Sequence, residues 1–167
     1  FKYKGILRTT AATLKDGFTN PTKLKQRLGI HMRNSKDPYD TYSYIQHFSK
    51  NQKLEVLFFF LLGDYAQFDK NIRFDHPKMI SLIKQLGNTS TIGIHPSYAS
   101  NKNSKMIGIE KQRLEHILGK SVHHNRFHFL KFSLPKSYQQ LLAYGISDDY
   151  SMGLSLIHIS EPTRPRL

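Results

Sequence analysis

Hydrophobic positions follow two rhythms along the chain, and the change falls near residue 53. Before it the spacing is helical, with breaks at residues 17–21 and 34–38. Asp37-Pro38 reads as a helix start, since proline is tolerated in a first turn. Tyr39, Tyr42, Ile45 and Phe48 then recur at helical intervals and predict core-facing packing. Residues 54–62 are apolar apart from Glu55, with three phenylalanines, and are closed by Gly63-Asp64, which predicts a strand buried on both faces.

From there the pattern alternates. Residues 77–86 predict a helix, with Met79, Leu82, Ile83 and Leu86 on one stripe. Residues 91–95 predict a short strand ending at Pro96, and residues 104–118 a helix stopped by Gly119. Residues 121–127 follow as a third strand, residues 135–144 as a helix stopped by Gly145, and residues 146–150 as the start of a fourth strand. Strands and helices in alternation with short connections predict an α/β domain with a parallel sheet. In such folds chemistry sits on the loops at the carboxyl ends of the strands. Those loops are residues 63–71, 96–103, 127–134 and 148 onward.

Composition narrows the function classes. With no cysteine, the chain has no disulfide framework, no thiolate zinc site and no cysteine nucleophile. That composition fits a reducing compartment such as the cytoplasm. The longest apolar run, residues 56–62, is far too short to span a membrane. The formal net charge is +13, and nine lysines and arginines crowd into residues 1–36 against one acid, Asp16. Such a block attracts nucleic acid, anionic lipid or an anionic glycan carrier, or forms a solvated basic face on a helical layer. Aromatic residues do not interleave with the basic ones, and no helix-turn-helix, zinc-finger or RNA-binding signature occurs.

Two places stand out as candidate chemistry. His95 ends a strand, with Pro96 fixing the turn and Ser97, Ser100 and Asn101 following. A neutral imidazole held rigidly there is either a metal ligand or a structural residue. Arg126 and His128 are two apart, so in extended backbone they share a side. There an arginine could orient a carboxylate while the histidine binds metal or moves a proton, or both could simply pair with neighbours. His116, His123 and His124 lack ligand spacing and read as surface. Asp64, Asp69 and Asp75 follow the first strand, and Asp148-Asp149 the last; the pattern does not choose among them as base or ligand.

With the elements in this order the chain resembles the polysaccharide deacetylase family, in particular a divergent bacterial branch. Val56-Leu57-Phe58-Phe59-Phe60-Leu61-Leu62-Gly63 resembles the family's Ala-Thr-Phe-Phe-Val-x-Gly strand. Gly93-Ile94-His95-Pro96-Ser97-Tyr98-Ala99-Ser100 resembles its His-Ser/Thr-x-x-His motif. Arg126-Phe127-His128-Phe129-Leu130 stands where the family has Arg-x-Pro-Tyr. Tyr144-Gly145-Ile146-Ser147-Asp148-Asp149-Tyr150 is similar to the strand leading into an aspartate-bearing motif.

This resemblance implies a fragment of a distorted (β/α) barrel over residues 54–153, preceded by a basic helical segment over residues 1–53. It implies metal-dependent removal of acetyl groups from an acetylated glycan or lipid-linked sugar, with a divalent metal, zinc first. His95 takes the position of the first metal histidine. The second ligand position falls on Ala99, which cannot bind metal, so Ser100 or His128 would have to supply the missing donor. Arg126 matches the arginine that orients the catalytic base, and Asp149 approximates the later aspartate. The family's paired aspartates would lie upstream of this chain and its general-acid histidine beyond residue 153. On that expectation the chain is a truncated piece and inactive as it stands. Its rivals are a sugar-binding relative without catalysis and a basic module for nucleic acid or anionic membrane. Residues 154–167 resemble a translated sequencing adapter, which implies a non-native tail.

Overall fold

The computed structural model describes Thr22 and residues 40–152. The chain divides into two compact units, Phe1–Leu54 and Glu55–Leu167. The helix start at Asp37-Pro38, the basic block of residues 1–36 and the tail of residues 154–167 lie outside the described residues.

In the first unit, helix α1 spans Tyr42–Gln52 and is closed by Lys53 in the left-handed region (φ 53°). Its rings do not behave as the spacing predicts. No residue of α1 is buried, Phe48 is 48% exposed, and Tyr44 and Phe48 stack on each other at 6.2 Å. Of the predicted stripe, Tyr42 and Ile45 are half-buried and Phe48 is exposed against Tyr44, while Tyr39 lies outside the described residues.

The second unit runs β1 (Leu57–Phe60), α2 (Pro77–Gly87), β2 (Thr91–Ile94), a 3₁₀ turn (Tyr98–Asn101), α3 (Lys105–Leu118), β3 (His124–Asn125), a second turn (His128–Leu130), α4 (Lys136–Ala143) and β4 (Asp148–Asp149). The four strands form one parallel sheet in the order β1-β2-β3-β4. The class is therefore α/β with a parallel sheet, as the alternation predicts.

Local signals set the helix ends. Pro77 occupies the first turn of α2, and the His76 ring accepts the Lys78 N–H at 3.2 Å. Gly119 ends α3 at φ 69°, where a side chain would be strained, and its N–H donates to Glu115 O. Ile83 and Leu86 of α2 and Ile107, Leu114 and Ile117 of α3 bury against Ile92 and Ile94 of the sheet. A Cβ on Gly93 would lie 2.5 Å from the Phe59 ring and 2.8 Å from His124 O, so only glycine lets the three strands approach here.

Three strands differ from expectation, and of residues 146–150 only Asp148–Asp149 join the sheet as β4. β1 covers Leu57–Phe60, with only Phe60 buried, because its ladder runs to β2 alone among the described residues. β3 shrinks from the expected residues 121–127 to His124–Asn125. Side chains outcompete the ladder at both ends: Val122 N–H donates to the Glu115 carboxylate at 2.9 Å, and Phe127 N–H to Ser151 Oγ at 2.8 Å. No helix among the described residues is long and apolar enough to cross a membrane.

Candidate functional site

The carboxyl ends of β2 and β3 bring two histidines together. His95 N–H still bonds to Phe60 O at 2.9 Å, so its backbone is held by the sheet while its ring projects beyond it. Arg126 N–H bonds to Ile94 O at 3.0 Å and sets the height of the neighbouring strand end. His128 then opens the turn after β3. The result is a contact across 33 residues of sequence: His95 Nε2 lies 3.0 Å from His128 Nδ1, with the rings edge to face.

The outer nitrogen of each ring points at an oxygen that can only accept. His95 Nδ1 makes a short bond to Arg126 O, and His128 Nε2 lies 3.2 Å from Phe68 O. Both outer nitrogens must therefore carry the hydrogen. In neutral rings that leaves two lone pairs facing each other at 3.0 Å. A proton shared between them, making one ring imidazolium, relieves the repulsion; a metal ion bound by both, at about 2.0–2.1 Å from each nitrogen, would sit off the line that joins them. Burial pushes the His95 pKa down, and the nearby His128 and Arg126 add to this against the pull of the Arg126 carbonyl. A positive ring at His95 is thus disfavoured, and its Nε2 lone pair is open to a hydrogen on His128 Nδ1 or to a metal ion.

Two buried carboxylates fix the loop that carries His95. Asp69, 1% exposed, accepts Tyr98 N–H at 2.7 Å and Ala99 N–H at 3.4 Å, and its Oδ1 is 3.8 Å from His128 Nε2. Glu110, fully buried on α3, accepts both the N–H of Ser97, at 2.9 Å, and its hydroxyl. Burial raises the Glu110 pKa, with the Ser97 bonds working the other way. The loop is therefore tied to the segment after β1 and to helix α3.

The other sequence candidates lie elsewhere or act differently. Ser100 is buried and donates its hydroxyl to Ser97 O at 2.7 Å, so it does not join the imidazoles. Arg126 contributes its carbonyl to His95; among the described residues its guanidinium makes no ion pair with a carboxylate. Asp149, ending β4, accepts Asn125 Nδ2 at 2.6 Å and Ser151 Oγ at 2.7 Å, while its buried Oδ2 meets no hydrogen-bond donor at bonding geometry among the described residues, although its charge reaches the Tyr138 hydroxyl. Asp64 pairs with Arg113 and Asp75 with Arg73, both on exposed loops.

Sequence reasoning passed over Glu110 and did not single out Asp69. Glu110 had a signal: it is a charge inside the apolar stripe of Ile107, Leu114 and Ile117. Asp69 had none, being one of three loop aspartates. Two nitrogens suit a divalent ion, but among the described residues no group of three His, Cys, Asp or Glu side chains is set to hold one. Asp69 faces the nitrogen of His128 turned away from His95, where it would orient the ring and not ligate. Comparison with protein-family models, with curated proteins and with solved structures finds no match to this chain.

Proposed function

We propose that this chain carries part of the centre of a metal-dependent carbohydrate deacetylase, acting on acetylated sugars within a (β/α) barrel. The observation that supports this reading most is the approach of two ring nitrogens, His95 Nε2 and His128 Nδ1, to 3.0 Å at the carboxyl ends of adjacent parallel strands. These two atoms would hold the ion, zinc in the first instance, with Arg126 O and Asp69 fixing the ring orientations. When bound, such an ion polarises an acetyl carbonyl and makes its water a nucleophile near neutral pH. His128 thereby stands in for the donor missing at Ala99. Asp149, with one carboxylate oxygen that meets no donor at bonding geometry among the described residues, is the nearest counterpart of the later aspartate, and Arg126 is retained as the residue flanking the pair.

One observation favours a second reading, a sugar-binding site without hydrolysis. Two imidazoles are the whole donor set among the described residues, and a hydrolytic centre usually has three protein ligands.

Zinc titration of the full chain separates these readings from a purely structural histidine pair. Stoichiometric binding that is lost in both His95→Ala and His128→Ala, and kept in Ser100→Ala, supports the site. Zinc retained after either histidine is removed sinks it. Zinc-dependent acetate release from acetylated chitooligosaccharide supports hydrolysis; because the chain carries only part of the centre, the second reading is supported instead by saturable glycan binding that zinc and EDTA leave unchanged.

A further inference from the structure

Helix α3 sends one acid inward. Glu110 stands among Ile107, Leu114 and Ile117, is fully buried, and pairs with no cation among the described residues. Both of its carboxyl oxygens meet the same residue: Oε2 accepts the Ser97 N–H at 2.9 Å, and Oε1 meets the Ser97 hydroxyl. Gly63 packs against the pair. A Cβ added there would lie 2.5 Å from Ser97 Cβ and 3.2 Å from Glu110 Oε1, which leaves no room for a water on that side. Two charged groups bear on Glu110. Asp69, on the segment after β1, opposes a second negative charge. Arg113, one turn along α3, favours it, but its guanidinium is spent on Leu62 O at 2.8 Å and Asp64 at 3.1 Å. An unpaired carboxylate in so dry a place is costly, so the neutral acid is the favoured form. Burial accordingly pushes the Glu110 pKa above the ordinary 4.5.

We propose that Glu110 is a proton-controlled latch on residues 96–103: as the neutral acid it holds Ser97 against α3, and on losing its proton it favours an open loop in which the carboxylate reaches water. The neutral acid keeps both contacts, with Oε2 accepting the N–H and the acid hydroxyl donating to Ser97 Oγ. Ser97 is two residues beyond His95, and the next two N–H groups of the loop are held by Asp69. The His95 ring therefore depends on the same loop, and Glu110 regulates the histidine pair as a positioning residue. That consequence rests on the deacetylase reading of the pair; the latch itself does not. The sign follows from linkage. In the open loop the carboxyl ionises near 4.5, and in the closed loop only at its higher folded value. Between the two, each pH unit moves the equilibrium toward the open loop about ten-fold. Below 4.5 the latch is fully set.

The test is amide hydrogen exchange of the full, metal-free chain from pH 4.5 upward, read at Ser97 N–H and at Arg126 N–H, which Ile94 O holds at 3.0 Å inside the sheet. Ser97 should be less protected than Arg126, because it exchanges through an opening smaller than unfolding. Relative to Glu110→Gln, whose amide keeps the pattern of the neutral acid, Ser97 protection should fall about ten-fold per pH unit up to the folded value. Should that variant fail to fold, Ser97→Ala carries the test. The Ser97 bonds favour the charged form, so without the hydroxyl the fall should extend to higher pH than in the parent. Equal protection of Ser97 and Arg126 at every pH means that the loop opens only with the whole domain, and overturns the latch. A ratio of parent to Glu110→Gln that ignores pH, or a fall unmoved in Ser97→Ala, overturns it too. Zinc at one hundred times its dissociation constant should raise Ser97 protection about a hundred-fold, because His95 binds in the closed loop alone. Zinc that binds and leaves Ser97 protection unchanged overturns the regulation of the pair. Absence of zinc binding sinks the deacetylase reading and leaves the latch to be decided by the metal-free result.

Discussion

Removing the Asp69 carboxylate should loosen the loop that carries His95. Asp69 is 1% exposed and joins the segment after β1 to the loop after β2 through Tyr98 N–H at 2.7 Å and Ala99 N–H at 3.4 Å. The first bond is short and charge-assisted, worth about 1.5–3 kcal/mol. The second is long, and Ala99 is exposed, so water can replace it at little cost. Recovery of the solvation lost by a buried carboxylate offsets part of the total. Asp69→Ala should therefore lose about 2 kcal/mol of stability in urea denaturation. Asp69→Asn keeps one oxygen for Tyr98 N–H and should lose about half as much. The same variants should weaken zinc binding by roughly ten-fold or more, because the carboxylate lies behind His128 Nε2 and fixes the ring. A loss below about 0.5 kcal/mol in Asp69→Ala would refute the idea that this bond holds the loop.

Gly93→Ala should cost about 3 kcal/mol in the same assay, since the new Cβ meets both the Phe59 ring at 2.5 Å and the backbone oxygen of His124 at 2.8 Å. A neutral result would mean that β1, β2 and β3 do not pack in this register. Glu110 gives the pH dependence. Burial holds its pKa above the ordinary 4.5, so the folded chain keeps this proton to higher pH than the unfolded chain does. Its contribution to stability is complete below 4.5 and is lost as pH rises through the folded value. Relative to Glu110→Gln, where the amide can still meet Ser97, the parent chain should lose stability as pH rises across that window; a difference between the two that does not change with pH counts against the assignment.

Much of the fold is legible in the sequence because it rests on local signals. Pro77 and Gly119 mark helix ends, and Ile83 and Leu86 of the predicted α2 stripe are buried while Met79 and Leu82 are half-buried. β3 is misjudged because its length is set by Glu115 and Ser151, whose side chains capture ladder donors from afar. Phe48 of α1 is exposed where burial is expected, because periodicity reports a stripe, not what covers it. At the site, His95 and His128 are each visible as residues at strand ends. Their contact is not, since it depends on the parallel register of Ile94 with Asn125. Arg126 is recognisable as a charged residue, yet the atom that shapes the pair is its backbone oxygen, which no side-chain motif encodes.

The most direct test of the lone-pair arrangement is long-range proton–nitrogen correlation NMR of the histidine rings, recorded before and after one equivalent of zinc. The account predicts hydrogen on Nδ1 of His95 and on Nε2 of His128 in the metal-free chain. It predicts that zinc shifts the two opposed nitrogens, Nε2 of His95 and Nδ1 of His128, and leaves the outer ones protonated. The opposite tautomer in either ring, or opposed nitrogens that ignore zinc, would contradict it.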